Sequence, residues 1–118
     1  MAEAIRDPMK LQVQINEFQK VGQQLQILDA QEQQLNFLLD ELKEAQEELK
    51  KTSGSIYKAV GHLMIEVDKK SATEEVEEKL EVYQTRLKSI QKQKESLRQR
   101  FEELRQILES SVATQKSV

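Results

Sequence analysis

Fifteen residues near the middle of the chain, Gly54 to Asp68 (GSIYKAVGHLMIEVD), constrain its fold more than any other stretch. They combine β-branched and aromatic residues with two glycines, and Gly61-His62 is flanked by apolar residues. Gly followed by another residue suits the centre of a two-residue type II′ turn, because Gly61 can take the positive φ that turn requires. Folding about Gly61-His62 pairs Val60 with Leu63, Lys58 with Ile65, and Ile56 with Val67. These six residues share one face of the ribbon, and all but Lys58 are apolar. The opposite face sets Tyr57 and Ala59 against Glu66 and Met64. Turn chemistry and face polarity therefore select the same register. A lone two-stranded hairpin with an apolar face is at best marginal in water, and the chain has no third strand. The hairpin is expected to pair with copies or relatives of itself, which makes it the assembly module.

The flanks read as long helices. Asp7-Pro8 is a helix start, with Asp7 as N-cap and Pro8 at the first helical position. A first helix is predicted over 8–51, ended by Thr52-Ser53-Gly54 with Lys50 and Lys51 at the negative end of its dipole. The hairpin occupies 54–68. A second helix is predicted over 71–112, opened by a capping box in Ser71-Ala72-Thr73-Glu74. Each helix has roughly 40 residues and a length of about 60 Å, long enough to suggest a coiled coil. Positions 1–118 are read as a single domain.

Heptad spacing supports this. The second helix alternates four and three through Val76, Leu80, Tyr83, Leu87, Ile90, Lys94, Leu97, Phe101, Leu104 and Leu108. Counted back from Leu49, the first gives Ala45, Leu42, Leu38, Leu35, Gln31 and Leu28. If the chain folds back at the hairpin, facing layers have position numbers with a constant sum. Leu49 then faces Val76, Leu42 faces Tyr83 and Leu38 faces Leu87, and the polar breaks Gln31 and Lys94 share one layer. Beyond Leu28 this frame fails: it requires a core residue at Gln24, where Leu25 is one place off, with Gly22 beside the slip. Two readings fit: the ends splay, leaving Leu11, Ile15, Phe18, Val21 and Leu25 partly exposed opposite Leu97, Phe101, Leu104, Ile107 and Leu108, or an ordinary seam continues through a tolerated stammer.

Composition narrows the function. Charged residues are 33% of the 118, hydrophobic residues 37%, and Trp and Cys are absent; this fits long helices and excludes disulfide or thiol chemistry. A net charge of −3 argues against a general nucleic-acid binder. The first helix is acidic from Asp29 to Glu48. The second carries Arg86, Lys88, Lys92, Lys94, Arg98, Arg100 and Arg105, read as a solvated face that partners the acidic, Gln-rich arm. No stretch has the apolar length of a membrane span, and MAEAIRDPMK has no apolar run like a signal peptide, so a cytoplasmic protein is expected. His62 sits at the turn with no relay partner in sequence. Glu47-Glu48, Glu74-Glu75 and Glu77-Glu78 lie on helix surfaces with no dry pocket to tune them. No phosphate loop is present. The expectation is no enzyme, no metal and no cofactor.

SIYKAVGHLMIEV between two such helices, followed by KLEVYQTRLKSIQKQKESLRQRFEELRQIL, closely resembles the β-class subunits of prefoldin, the archaeal type most of all. The most specific part is Ile56-Tyr57-Lys58 through Val60-Gly61. Room for one hairpin rather than two fits the β class. His62-Leu63-Met64 departs from the aliphatic β-branched residues of many β-type chains. The resemblance implies a mainly α fold: a long antiparallel intrachain coiled coil whose single β-hairpin assembles into an oligomeric β-barrel platform. It implies a hexamer of two α-type and four β-type subunits that holds unfolded proteins at its coiled-coil tips without ATP and passes them to a group II chaperonin. On that reading Ile56, Tyr57, Val60, Leu63, Ile65 and Val67 serve assembly. Leu11, Ile15, Phe18, Val21, Leu25, Leu97, Phe101, Leu104, Ile107 and Leu108 contact clients. The alternatives are a structural coiled-coil scaffold, in which the middle stretch is a linker, and an RNA-binding helical arm using Arg86 to Arg105.

Overall fold

The computed structural model describes residues 4–116, with side chains described through Ala113. The order of elements is α1 (Pro8–Lys51), β1 (Ile56–Val60), β2 (Leu63–Val67) and α2 (Lys69–Lys116). Two long helices are thus joined by an antiparallel hairpin. The chain divides into a hairpin unit, Glu32–Ser89, and a terminal unit made of the segment ending at Gln31 and the segment starting at Ile90.

In the hairpin unit the register is the predicted one, with Val60 opposite Leu63, Lys58 opposite Ile65 and Ile56 opposite Val67. Gly61 has φ 59° and no non-glycine residue among those described has positive φ. One left-handed residue at the first turn position is the type II′ pattern; a type I′ turn would need two. A Cβ at Gly61 would meet nothing within 4 Å, so only backbone strain opposes a side chain there. Gly61→Val is expected to destabilise the hairpin by about 1–2 kcal/mol, the left-handed penalty of a branched residue. Loss of cross-strand NMR contacts with unchanged helical circular dichroism is the expected result.

Asp7 caps α1 as predicted: its Oδ1 accepts the Met9 N–H at 2.9 Å, and its carbonyl accepts the Leu11 N–H. At the other end the Thr52 hydroxyl donates to the Glu48 carbonyl, and the Lys69 ammonium donates to the Thr52 carbonyl at 3.0 Å. The start of α2 differs from the expected box. Helix begins at Lys69, and the cap is Asp68, whose Oδ2 accepts the Ser71 N–H. Hydrogen bonding from Ser71, its side chain first and its backbone N–H second, holds the Asp68 carboxyl below its usual range. Ser71 therefore lies inside the first turn. No glycine or proline follows Val112 to stop α2, which runs on to Lys116.

The buried face of α1 corrects the sequence frame. Leu39, Leu35 and Val21 are buried, while Leu42, Glu32, Leu28, Leu25, Phe18, Gln14 and Leu11 are half-buried. These positions alternate three and four without interruption, so there is no phase slip near Gly22. The true frame passes through Leu39 and Glu32 where the prediction took Leu38 and Gln31. Gln31 is exposed. Polar side chains such as Glu32 can bury their aliphatic stems at a seam and keep their heads wet.

Candidate functional site

The predicted site residues lie on two surfaces. The first is the hairpin. Tyr57, Val60, Leu63 and Ile65 are exposed, while Ile56 and Val67 are half-buried where the strands leave the helices. Leu63 is 66% exposed, and beside it Met64, which the sequence reading placed on the mixed face, is 67% exposed. Both faces of the ribbon therefore present apolar side chains to solvent. The sheet has two strands, so each strand also keeps one edge of unpaired backbone donors and acceptors, ready for strand addition.

Lys58, the one charged residue on the predicted apolar face, anchors the hairpin. Its Nζ lies 2.6 Å from Glu75 Oε1, which also takes Lys79 at 3.3 Å. Lys58 first and then Lys79 hold the Glu75 carboxyl below its usual range. Ion pairs this exposed contribute little stability; the bridge serves to fix the hairpin against the start of α2. Beside it an open groove of about 470 Å³ is lined by Leu49, Ile56, Ala59, Val67 and Val76 among others.

The second surface is the terminal unit. The structure brings its apolar residues together in place of splaying the helix ends. The Phe18 and Phe101 rings stack with centroids 4.4 Å apart. Leu104 is 0% exposed, and Val21 is also buried. Gly22 lies against this stack: a Cβ there would touch the Phe101 ring at 3.4 Å, an ordinary contact distance. Leu11, Ile15, Leu25, Leu97, Ile107 and Leu108 are half-buried. Of the ten predicted client contacts, Val21 and Leu104 could therefore meet a client only if the helix pair opens. The sequence reading passed over Met9, Val13 and Val112, which are exposed, Met9 at 81%. Their signal was an apolar residue outside any heptad frame. Phe18, Leu108 and Val112 also line an open groove of about 470 Å³ with Arg105, Glu109 and Ala113.

Charges cross between the helices of this unit. Arg100 grips Glu17 with two hydrogen bonds, 2.8 Å from Nε and 2.9 Å from the terminal nitrogen. Lys94 is 6% exposed, and its Nζ lies 2.5 Å from Asp29 Oδ1. Asp29, not Gln31, thus answers the polar break in α2. These ion pairs run antiparallel, Asp29 to Lys94 and Glu17 to Arg100. Arg105 bonds Glu102 and Glu109 on its own helix. Three members of the predicted basic stretch are therefore engaged by carboxylates.

Bonds to Arg100 and Lys94 hold the Glu17 and Asp29 carboxyls below their usual ranges. A carboxylate whose folded pKa is depressed contributes stability above its unfolded value, here about 4.5 for Glu17. That contribution is lost as pH falls through the lowered folded value. Thermal melting is therefore expected to turn downward below this range, with a shallower slope in Glu17→Gln. The Glu17–Arg100 part of the effect shrinks with added salt because that pair is open to solvent on one side.

His62 is exposed. Among the described residues no three or more His, Asp and Glu side chains gather as metal ligands do, and no helix is long and apolar enough to cross a membrane.

Comparison with known proteins agrees with this geometry. The model of a family described as prefoldin subunit matches residues 12–115. Among solved structures, the chain is similar to the crystal structure of the prefoldin beta subunit from Thermococcus strain KS-1. The identity is 28% and the TM-score 0.79, over 92% of this chain and 96% of that one. No curated protein sequence matches.

Proposed function

The chain belongs to the prefoldin subunit family, and from that premise we propose that it is a β-class subunit of an ATP-independent holding chaperone. Four copies join two α-type subunits in an α2β4 hexamer in the cytoplasm. The complex holds unfolded proteins at its coiled-coil ends and delivers them to a group II chaperonin. The observation that carries this reading is the hairpin: a short ribbon with apolar residues exposed on both faces and two open edges. Such a ribbon needs partner strands, and the described residues supply no third one.

Holding follows from exposed apolar side chains on the terminal unit, which lower the free energy of an unfolded client and compete with its self-association. Burial contributes about 25 cal/mol per Å² of apolar surface, so each contact is weak and several subunits acting together supply avidity. Met9, Val13, Phe18, Leu108 and Val112 are accessible as the chain stands, and further residues become so on opening. The RNA-arm reading loses support from the engagement of Lys94, Arg100 and Arg105 by carboxylates.

The test is suppression of aggregation of a chemically denatured protein, without nucleotide, by the complex assembled with α-type partners. Removing residues 1–25 together with 97–118 is expected to abolish suppression and leave the six-subunit complex intact. Unchanged suppression, or loss of the complex, would contradict the assignment of holding to the terminal unit.

A further inference from the structure

Residues 4–7 do not continue α1, although Ala4, Ile5 and Arg6 are ordinary helix residues. Pro8 explains this. It removes an N–H and restricts the residue before it to extended backbone, so the chain leaves the helix at Asp7. The segment instead reaches α2: the Ile5 N–H donates to Ser111 Oγ at 2.7 Å, across 106 positions of sequence. Ser111 Oγ donates in turn to the Ile107 carbonyl at 2.7 Å. Ser111 has 0% exposure, and Ile5 is half-buried. A fully buried serine seven residues beyond Leu104, near the end of α2, requires a cover.

We propose that residues 4–7 form a releasable strap over the ends of α1 and α2, with the Ile5–Ser111 hydrogen bond as its latch. Closed, the strap keeps the terminal unit zipped and its buried apolar residues out of solvent. Released, it uncovers Ser111 and frees the helix ends beside it to part, enlarging the apolar surface offered to a client. Ala4 and Arg6 are exposed, so little besides Ile5 holds the segment down, and release is local. The strap thus sets how much of the terminal unit is available. Its role toward clients rests on the holding function proposed above, whereas its existence does not.

Ser111→Ala in the full chain, assembled with its partner subunits, removes the acceptor. Alanine is the better helix former, so the change does not weaken α2 itself. Thr85→Ala is the control, because Thr85 makes the same bond to a preceding carbonyl, that of Glu81, in the hairpin unit and latches nothing. Amide exchange at residues 9–12 and 107–113 is expected to rise about fivefold in Ser111→Ala, the population change matching one typical net hydrogen bond. Binding of an environment-sensitive apolar dye is expected to rise with it, and Thr85→Ala to change neither. Unchanged exchange and dye binding would overturn the strap, as would faster exchange spread equally over both units. Faster terminal exchange with unaltered suppression of client aggregation would uphold the strap and count instead against the holding function.

Discussion

Aspartate at both Leu63 and Ile65 is expected to abolish assembly while leaving the chain folded. Both side chains are exposed in the isolated subunit, so the substitutions there exchange apolar surface for charge at little cost. They lie on one face of β2, two residues apart. The proposed assembly through hairpins would bury that face, and each uncompensated buried charge costs several kcal/mol. At about 1.4 kcal/mol per tenfold in affinity, association weakens at least roughly 100-fold. Light scattering after size exclusion should report a monomer whose helical circular dichroism is unchanged. An intact complex carrying both substitutions would show that assembly uses another surface.

Leu104→Ala should have the largest effect on the folded chain. Leu104 has no exposed surface, and Leu→Ala at such sites costs about 2–5 kcal/mol through lost burial and the cavity left behind. The loss falls on the terminal unit, where Phe101 stacks on Phe18 and Arg100 holds Glu17. Denaturant unfolding with hydrogen exchange should show faster opening of residues before 31 and after 90, with smaller changes around the hairpin. Leu63→Ala is the comparison, expected to stay within about 0.5 kcal/mol of the parent as surface substitutions do. A Leu104→Ala effect as small as that would mean that the helix ends are splayed.

Local chemistry was legible wherever it decides structure without help from distant residues. Gly61 fixes the turn, the turn fixes the register, and the alternation of Val60, Lys58 and Ile56 follows. Asp7-Pro8 likewise specified the start of α1 within one turn. The opening of α2 was missed because Ser71-Ala72-Thr73-Glu74 matches a box, while Asp68 three residues earlier is an equally good cap; the end of β2 decides between them. The seam of α1 was misread for a related reason. Adjacent leucines, Leu38 and Leu39, offer two heptad frames, and counting from Leu49 through Ala45 selects the wrong one. The correct frame runs through Glu32 and Gln14, which hydrophobicity alone rejects.

Lys94 was recognised as the polar break in α2, but its partner was not. Which residue it meets depends on the axial offset of two helices, and a rule of constant sums resolves that to about half a turn. Asp29 and Gln31 lie two residues apart. The choice between splayed ends and a continuous seam arose from the wrong frame; with the slip removed, nothing in the phase requires the ends to part. Solvent exposure at Met9, Val13 and Met64 was readable in principle, as apolar residues off the seam or on the mixed face of the ribbon.

On the proposed function, the hairpin joins this chain to other subunits of its family. Native mass spectrometry of the complex it forms in its source cells tests this most directly, since it gives the number and kinds of subunits together. Six subunits of two kinds, four of them this chain, is the predicted result. A monomer, a homodimer, or a particle held together by RNA would contradict it.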